Sequence, residues 1–482
     1  MGRRETWTRR EFLRSSSLAG AGVVVLAGCR DVTGVGRQEG QNEVIVVGAG
    51  LAGLVAARTL AEDDWQVTVV EARNRVGGRV LTEQFPDDQY GELGGEFIDR
   101  DHKAMRDLVD DLRLELERVP GGRGEDLVRG AGLTEAWEQY LDADGGEARR
   151  DRARFYDALA ELARDVDPAD PSAAPHATEL DNTSVAAFLD ELALSPRGRY
   201  FVERVDIVDE YTVAAADLSL LQVVGDTART AGLRDGDDEV WRVKGGNGQV
   251  TQRIARELGG SVELGLPVRS VVQDDDGVRV VAGDKARFAE YAVMATPLPP
   301  LRAVRFEPAL PRALAAAVTE LGYGTGTKTL LDYDRRIWRD EGDTGYAVTD
   351  LPVGTTWEAT DAQPGRRGVL LGYTAGPPGV TLGDQPVANR AETVTADAEV
   401  LFPGSAAARG NSAPSIAWQD EPFTGGTYTA YRPGQVTAFW RAIRKPFGRL
   451  HWAGEHTDTY TAYMEGAVRS GLRAAREISD RA

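Results

Sequence analysis

The chain has 482 residues, with 56 basic and 76 acidic side chains, a net charge of -20 and a pI near 4.8. That balance leaves no basic face for nucleic acid, which is excluded as a partner, and the length is enough for two domains with substantial cores. The single cysteine, Cys29, rules out an intrachain disulfide or a cysteine-based metal cluster, and His102, His176, His451 and His456 are too scattered to suggest a metal site.

Residues 1–28 read as an address. Arg9-Arg10 followed by Phe12-Leu13 matches a twin-arginine export signal, and Leu18 to Ala27 is an apolar core too short to span a membrane comfortably. Leu26-Ala27-Gly28-Cys29 has the form of a lipoprotein cleavage site, which would leave Cys29 lipidated; a non-lipidated signal with an incidental cysteine is the other reading. The expected location is the outer face of the cell membrane, through that lipid anchor, or else the periplasm or exterior. Removing residues 1–28 deletes five Arg and two Glu, taking the net charge from -20 to -23. Residues 29–42, polar and glycine-containing, read as a tether.

Val44 to Val47 is an apolar, β-branched run that predicts a buried parallel strand. It enters Gly48-Ala49-Gly50-Leu51-Ala52-Gly53, where Gly48 allows a tight turn, Gly50 lets a pyrophosphate approach the backbone, and Gly53 lets a helix over Leu54 to Leu60 pack closely. That helix presents unpaired N–H groups to the phosphates. Val67 to Val70 predicts the next strand, and Glu71 at its end is placed to accept hydrogen bonds from an adenosine ribose. The continuation Arg73-Asn74-Arg75-Val76-Gly77-Gly78-Arg79 separates FAD from a nicotinamide cofactor, because Arg73 and Arg79 around Gly77-Gly78 suit a doubly charged pyrophosphate.

Further along, Glu125 to Gln222 reads as mostly helical. Strands are predicted at Trp241 to Lys244, Ser261 to Glu263 and Val268 to Val272, with a helix to Leu258, and Asp274-Asp275-Asp276-Gly277 marks a hairpin turn. Tyr291 to Ala295 predicts another buried strand. Gly326 to Tyr333 alternates, with Lys328, Leu330 and Asp332 on one face, and the chain closes with a strand at Arg449 to Ala453 and a helix from Met464 to Ser479. The expected fold is α/β with two domains. A Rossmann-like FAD domain with a central parallel sheet takes residues 43–119, 240–298 and 420–482; a mixed-sheet and helical substrate domain takes 120–239 and 299–419.

Four stretches together resemble the flavin monoamine oxidase family, which includes polyamine and L-amino acid oxidases. They are the Val44–Arg79 string; Gly91-Glu92-Leu93-Gly94-Gly95-Glu96-Phe97-Ile98; Gly326-Thr327-Lys328-Thr329; and Gly425-Gly426-Thr427-Tyr428 with His451 to Thr457 and Tyr463 to Ala467. The resemblance covers nearly all of the chain after the export signal. It implies FAD contacts from Ala52, Glu71, Arg79, Gly94, Gly95, Val268, Glu455 and Met464, with Gly48, Gly50, Gly53, Arg73 and Gly78 added by the glycine and arginine pattern.

The same resemblance implies that Lys328 holds a water near flavin N5 and assists reaction with oxygen; an edge-strand lysine is the bland reading. Tyr428 and Tyr463 match the aromatic cage that flanks the amine, and Trp418 either supports that wall or simply packs. Thr427 stands where monoamine oxidases carry a flavin-linked cysteine, so FAD is expected to be noncovalent. The N-terminus of the last helix would favour an anionic reduced flavin. The implied reaction is hydride transfer to N5, giving aldehyde or keto acid, ammonia and hydrogen peroxide.

A primary amine is the expected substrate, because the arginine that many amino acid oxidases place after the Glu-Leu-Gly segment is missing; Arg100 does not match that position. An L-amino acid oxidase, or a dehydrogenase passing electrons to a membrane quinone instead of oxygen, is the competing reading. A solute-binding lipoprotein would lack FAD, against the Val44–Arg79 string.

Overall fold

The computed structural model describes residues 42–119, 124–233 and 237–481. Cys29 and the export and tether segments lie outside these residues. Among the described residues, no helix is long and apolar enough to cross a membrane.

The expected α/β architecture is present. A five-stranded, all-parallel sheet runs in the order Leu450–Trp452, Tyr291–Met294, Glu43–Val47, Gln66–Val70, Val262–Glu263. Strict alternation along Glu43–Val47 sends Val44 and Val46 into one apolar core and Ile45 and Val47 into another. A strand buried on both faces therefore reads as an unbroken apolar run. The helix Leu51–Glu62 follows the first strand, three residues earlier than the sequence pattern predicts, and the final helix Met464–Ser479 packs on it. Gly471 makes that approach possible, since a Cβ there would lie 2.4 Å from the carbonyl oxygen of Ala52.

A second, four-stranded sheet contains the Val268–Gln273 and Val278–Ala282 hairpin. The third sheet has seven strands in the order Ser415–Ala417, Gly326–Tyr333, Gly368–Ala375, Thr355–Glu358, Asp343–Thr349, Glu125–Gly130, Leu133–Ala136. Two expectations change here. Glu125–Ala136 is a β-hairpin rather than the start of the helical region, its two-residue turn using positive φ at Ala131 and Gly132 (51° and 81°). The polar strands and the Ala-Gly turn hide it from a reading that looks for Asn-Gly or Asp-Gly. The strand carrying Lys328 is interior, paired on both sides and buried along all eight residues, which removes the edge-strand reading of that lysine.

The helical region from Trp137 to Thr230 follows, its first helix packing on the Glu125–Gly130 and Leu133–Ala136 strands. Within that region Val202–Asp209 is π-helical, a geometry that often marks functional sites. It delivers Asp206, Asp209, Glu210 and Tyr211 to the space between the helices and the sheet.

Candidate active site

A single cavity of about 1480 Å³ runs from the Gly48–Gly50 turn and Glu71 to Lys328, Tyr428 and Tyr463. Of the residues expected to bind FAD, Gly48, Gly50, Ala52, Glu71, Arg73, Gly78, Arg79, Gly94, Gly95, Val268, Glu455 and Met464 all line it. Gly53 does not. A Cβ on Gly53 would sit 2.0 Å from the carbonyl oxygen of Gly48, so its part is to let helix and turn meet.

The residues at this end fit FAD. The helix Leu51–Glu62 has no side-chain cap at Gly50, and a Cβ on Gly50 would meet nothing within 4 Å, leaving a cradle of open backbone at a positive helix end. Glu71 is buried at the end of its strand, its carboxylate accepting the backbone N–H of Ala49 and of Arg73, both at 2.8 Å. Arg79 donates to Glu455 Oε1 (2.8 Å) and to the Thr427 carbonyl (2.9 Å), tying the arginine string to the last cage segment. Burial alone would raise the Glu455 carboxyl, but Arg79, His456 and the Ala462 N–H together hold the group below the usual range. Arg73, expected at the pyrophosphate, borders the cavity, with its guanidinium donating to Glu421 (3.1 Å) and Thr424 Oγ1 (2.7 Å).

Lys328 projects from the seven-stranded sheet toward the Gly94-Gly95 segment. Its Nζ lies 3.0 Å from Glu96 Oε2, 3.1 Å from the Gly94 carbonyl and 3.4 Å from the Glu92 carbonyl. Glu96 in turn takes Arg242 Nη2 and Trp357 Nε1, each at 3.0 Å from Oε1. Burial pushes Glu96 upward, yet Lys328 and then Arg242 bring its carboxyl below the usual range. The Lys328 charge also faces the rings of Trp357 (5.2 Å) and Tyr373 (5.7 Å). Neither Arg242 nor the two rings is marked by any motif; only the structure brings them to Lys328.

Tyr428 donates its hydroxyl to the Glu210 carbonyl at 2.7 Å and lies 3.2 Å from the Tyr373 hydroxyl. Tyr463 is packed edge-on against His102, with ring centroids 5.0 Å apart, and has the Arg229 guanidinium 5.4 Å from its centroid. Both tyrosines line the cavity, as does Trp418, whose Nε1 donates to the Leu93 carbonyl at 2.8 Å and so braces the glycine-pair segment. Thr427, also on the wall, places its hydroxyl 2.6 Å from that of Thr212.

Beyond the tyrosines the cavity is acidic. Asp206 is held by Arg152 and Tyr156, Asp209 by Arg204 and Thr355, and Asp226 by Tyr211. The carboxylates of Glu210 and Glu239 make no hydrogen bond or ion pair with any described residue, and both face the cavity interior. Enclosure by protein raises Glu210 to about 7 and Glu239 to about 8, with neighbouring carboxylates adding to each shift. Asp99, Asp101 and His102 gather nearby; burial keeps the imidazole neutral by lowering it to about 4, and Asp101 is shared with Tyr460 and Arg229. The sequence shows these acids only as an overall excess of charge.

A groove along a parallel sheet, continuous with an aromatic and acidic chamber, is an arrangement that suits a flavin-dependent oxidoreductase. The family model for flavin-containing amine oxidoreductases matches residues 51–479, and the chain belongs to that family. It is 29% identical over 456 residues to an L-amino acid dehydrogenase of Synechocystis sp., covering 90% of this chain and 94% of that protein. With amine oxidase A of Equus caballus it shares 30% over 461 residues, 90% and 84% of the two chains. Among solved structures, a wild-type putrescine oxidase bound to putrescine superposes with a TM-score of 0.82 at 27% identity, covering 91% of this chain and 99% of that one. The protein is thus an FAD-dependent amine oxidoreductase. Its FAD is held noncovalently, with Thr427 and no cysteine directly before Tyr428.

Proposed function

We propose that this enzyme oxidises a cationic amine, and that amines with a second positive charge are its preferred class. The observation that carries the reading is the pair of unpaired carboxylates, Glu210 and Glu239, on the wall beyond Tyr428. Both side chains are open to the cavity rather than packed in the core, and a carboxylate partly withdrawn from bulk water and without a partner gains from a ligand cation, which is relieved of its own desolvation in turn. Bound FAD supplies the acceptor for hydride from the carbon that bears the nitrogen. Tyr428 and Tyr463 exclude water around that nitrogen and attract its cationic form on entry, while Lys328, fixed by Glu96, sets a positive charge against the Gly94-Gly95 segment. The products are an aldehyde, ammonia and, with oxygen as acceptor, hydrogen peroxide. The putrescine-bound relative supports a diamine.

A second reading, an L-amino acid as substrate with a quinone as acceptor, has two supports. One relative is an L-amino acid dehydrogenase, and Arg229 borders the cavity beside Tyr463, where it could receive a carboxylate. Against it, Arg229 already faces Asp101 at 3.5 Å and Asp226 at 3.9 Å. Mixing the purified enzyme anaerobically with monoamines, diamines and L-amino acids, and following loss of the yellow flavin absorbance, separates the readings. Faster bleaching by an L-amino acid than by any amine overturns the first. Peroxide yield in air against reduction of a quinone dye identifies the acceptor. We further propose export by the twin-arginine route and anchoring through Cys29; Cys29→Ser should move the protein from the membrane to the soluble fraction.

A further inference from the structure

An alkylammonium loses its proton near the ordinary lysine value of about 10.4, so at pH 7 only about one molecule in 2,500 carries the free lone pair that oxidation needs. An acidic chamber makes the difficulty worse, because it selects the charged form. The enzyme therefore needs a proton acceptor beside the tyrosines, and few groups there can serve. Tyr428 and Tyr463 have hydroxyls pushed upward by burial, and Tyr373 likewise. The Lys328 nitrogen is directed at three oxygens. Asp206 and Asp209 are ion-paired to Arg152 and Arg204, and Asp99 accepts the N–H of Glu239.

Glu210, like Glu239, has an unpartnered carboxylate, but of the two only Glu210 is bonded to a cage tyrosine. It follows the π-helical stretch directly, its backbone carbonyl is bonded to the Tyr428 hydroxyl, and its carboxylate opens into the chamber with no partner. We propose that Glu210 is the catalytic base that removes a proton from the bound ammonium. The inference rests on the amine reading above. In the step, one N–H bond of the ammonium breaks, its electron pair stays on nitrogen as the lone pair, and an O–H bond forms on the Glu210 carboxylate. The resulting pair is neutral, which an enclosed chamber favours over two buried charges. The proton leaves to water after product release. The charges that face Glu210 are Asp206 and Asp209 on its own segment, Asp99 beyond the glycine pair, and Asp238 with Glu239. Enclosure by protein is the larger cause that keeps the base protonated to a higher pH than an isolated glutamate, and these acidic neighbours add to it, placing its ionisation at about 7.

The test is anaerobic rapid mixing of the holoenzyme with an amine that bleaches the flavin, from pH 5.5 to 9.5, fitting the limiting reduction rate and the apparent dissociation constant separately. In the wild type the limiting rate should rise through an ionisation near neutral pH. Glu210→Gln should lose that ionisation and be at least tenfold slower at pH 8, whereas Glu239→Gln should weaken binding but keep it. An effect of Glu210→Gln confined to the dissociation constant, or an unchanged profile, overturns the proposal. Flavin content and circular dichroism verify that each variant is folded. The wild type alone provides a second check with two amines of different basicity. If Glu210 is the base, the neutral ionisation stays in place for both; an ionisation that tracks the amine's own basicity overturns the proposal. Failure of every amine to bleach the wild type would instead reject the amine reading itself.

Discussion

Lys328 and Glu96 form a buried ion pair, 3.0 Å between Nζ and Oε2, and the same carboxylate binds Arg242 and Trp357. The pair joins an interior strand of the seven-stranded sheet to the segment just after Gly94-Gly95, so a cofactor-side loop and a substrate-side sheet share one fixed point. Removing the carboxylate leaves two cations facing each other in a dry site. Glu96→Gln should therefore lose about 3–5 kcal/mol of stability, read from urea unfolding of the holoenzyme. Adding Lys328→Met to it should cost less than the sum of the single changes, because the two act through one interaction. Additive losses would show that the pair is not coupled.

Lys328→Met by itself addresses the chemistry. The Gly94-Gly95 backbone and the Glu71 end of the groove remain, so flavin should stay bound. Loss of a fixed positive charge should slow reoxidation of reduced enzyme by oxygen by roughly tenfold or more, in line with the effect of deleting one preorganised electrostatic group. Stopped-flow mixing of reduced enzyme with oxygenated buffer measures it. An unchanged rate would remove Lys328 from the oxidative half-reaction.

The difference between these residues and their partners explains what the sequence could tell. Gly48 to Gly53, Glu71 and Arg79 are legible because backbone conformation and charge are demanded at fixed local spacing. Lys328 stands out because a lysine in a buried apolar strand is unusual. Arg242 and Trp357 come from strands 146 and 261 residues beyond Glu96, so no local spacing announces them. Glu210 and Glu239 are hidden for another reason: in an acidic chain an unpaired carboxylate looks like any solvated one until the fold encloses it. The hairpin at Glu125–Ala136 escapes because its strands are polar on both faces at their ends.

The glycines of the cofactor turn should separate binding from folding. A Cβ on Gly50 meets nothing in the protein within 4 Å, whereas one on Gly53 would lie 2.0 Å from a backbone oxygen. Gly50→Ala should accordingly fold with near wild-type apoprotein stability while its flavin content falls, because the methyl group occupies space the pyrophosphate needs. Gly53→Ala should lower stability outright, since neither the helix nor the turn can yield cheaply. Absorbance of the purified proteins gives flavin content, and thermal unfolding gives stability. Full flavin occupancy in Gly50→Ala would contradict the placement of the pyrophosphate at this turn.

The acidic chamber should appear in stability as well as in catalysis. Glu210 and Glu239 are raised by burial to about 7 and about 8, and Glu92, fully buried beside Thr82 and Asn247, to about 7. A carboxyl whose folded value lies above its unfolded one binds its proton more tightly in the folded state. Its contribution is complete below the ordinary carboxyl range and is lost as pH rises through the folded value. His102 and His456, lowered by burial to about 4, work in the opposite sense, but only up to their ordinary value near 6.5. Above pH 7 the carboxyls act alone among these groups. The holoenzyme should therefore lose thermal stability between pH 7 and 9, and the double variant Glu210→Gln/Glu239→Gln should lose less over the same interval. A diamine that occupies the chamber without being oxidised should flatten the wild-type curve in the same way, because its cations favour the ionised carboxylates. Parallel curves for wild type and double variant would mean that the two carboxylates are solvated rather than enclosed, and the preference for a doubly charged substrate would lose its physical basis.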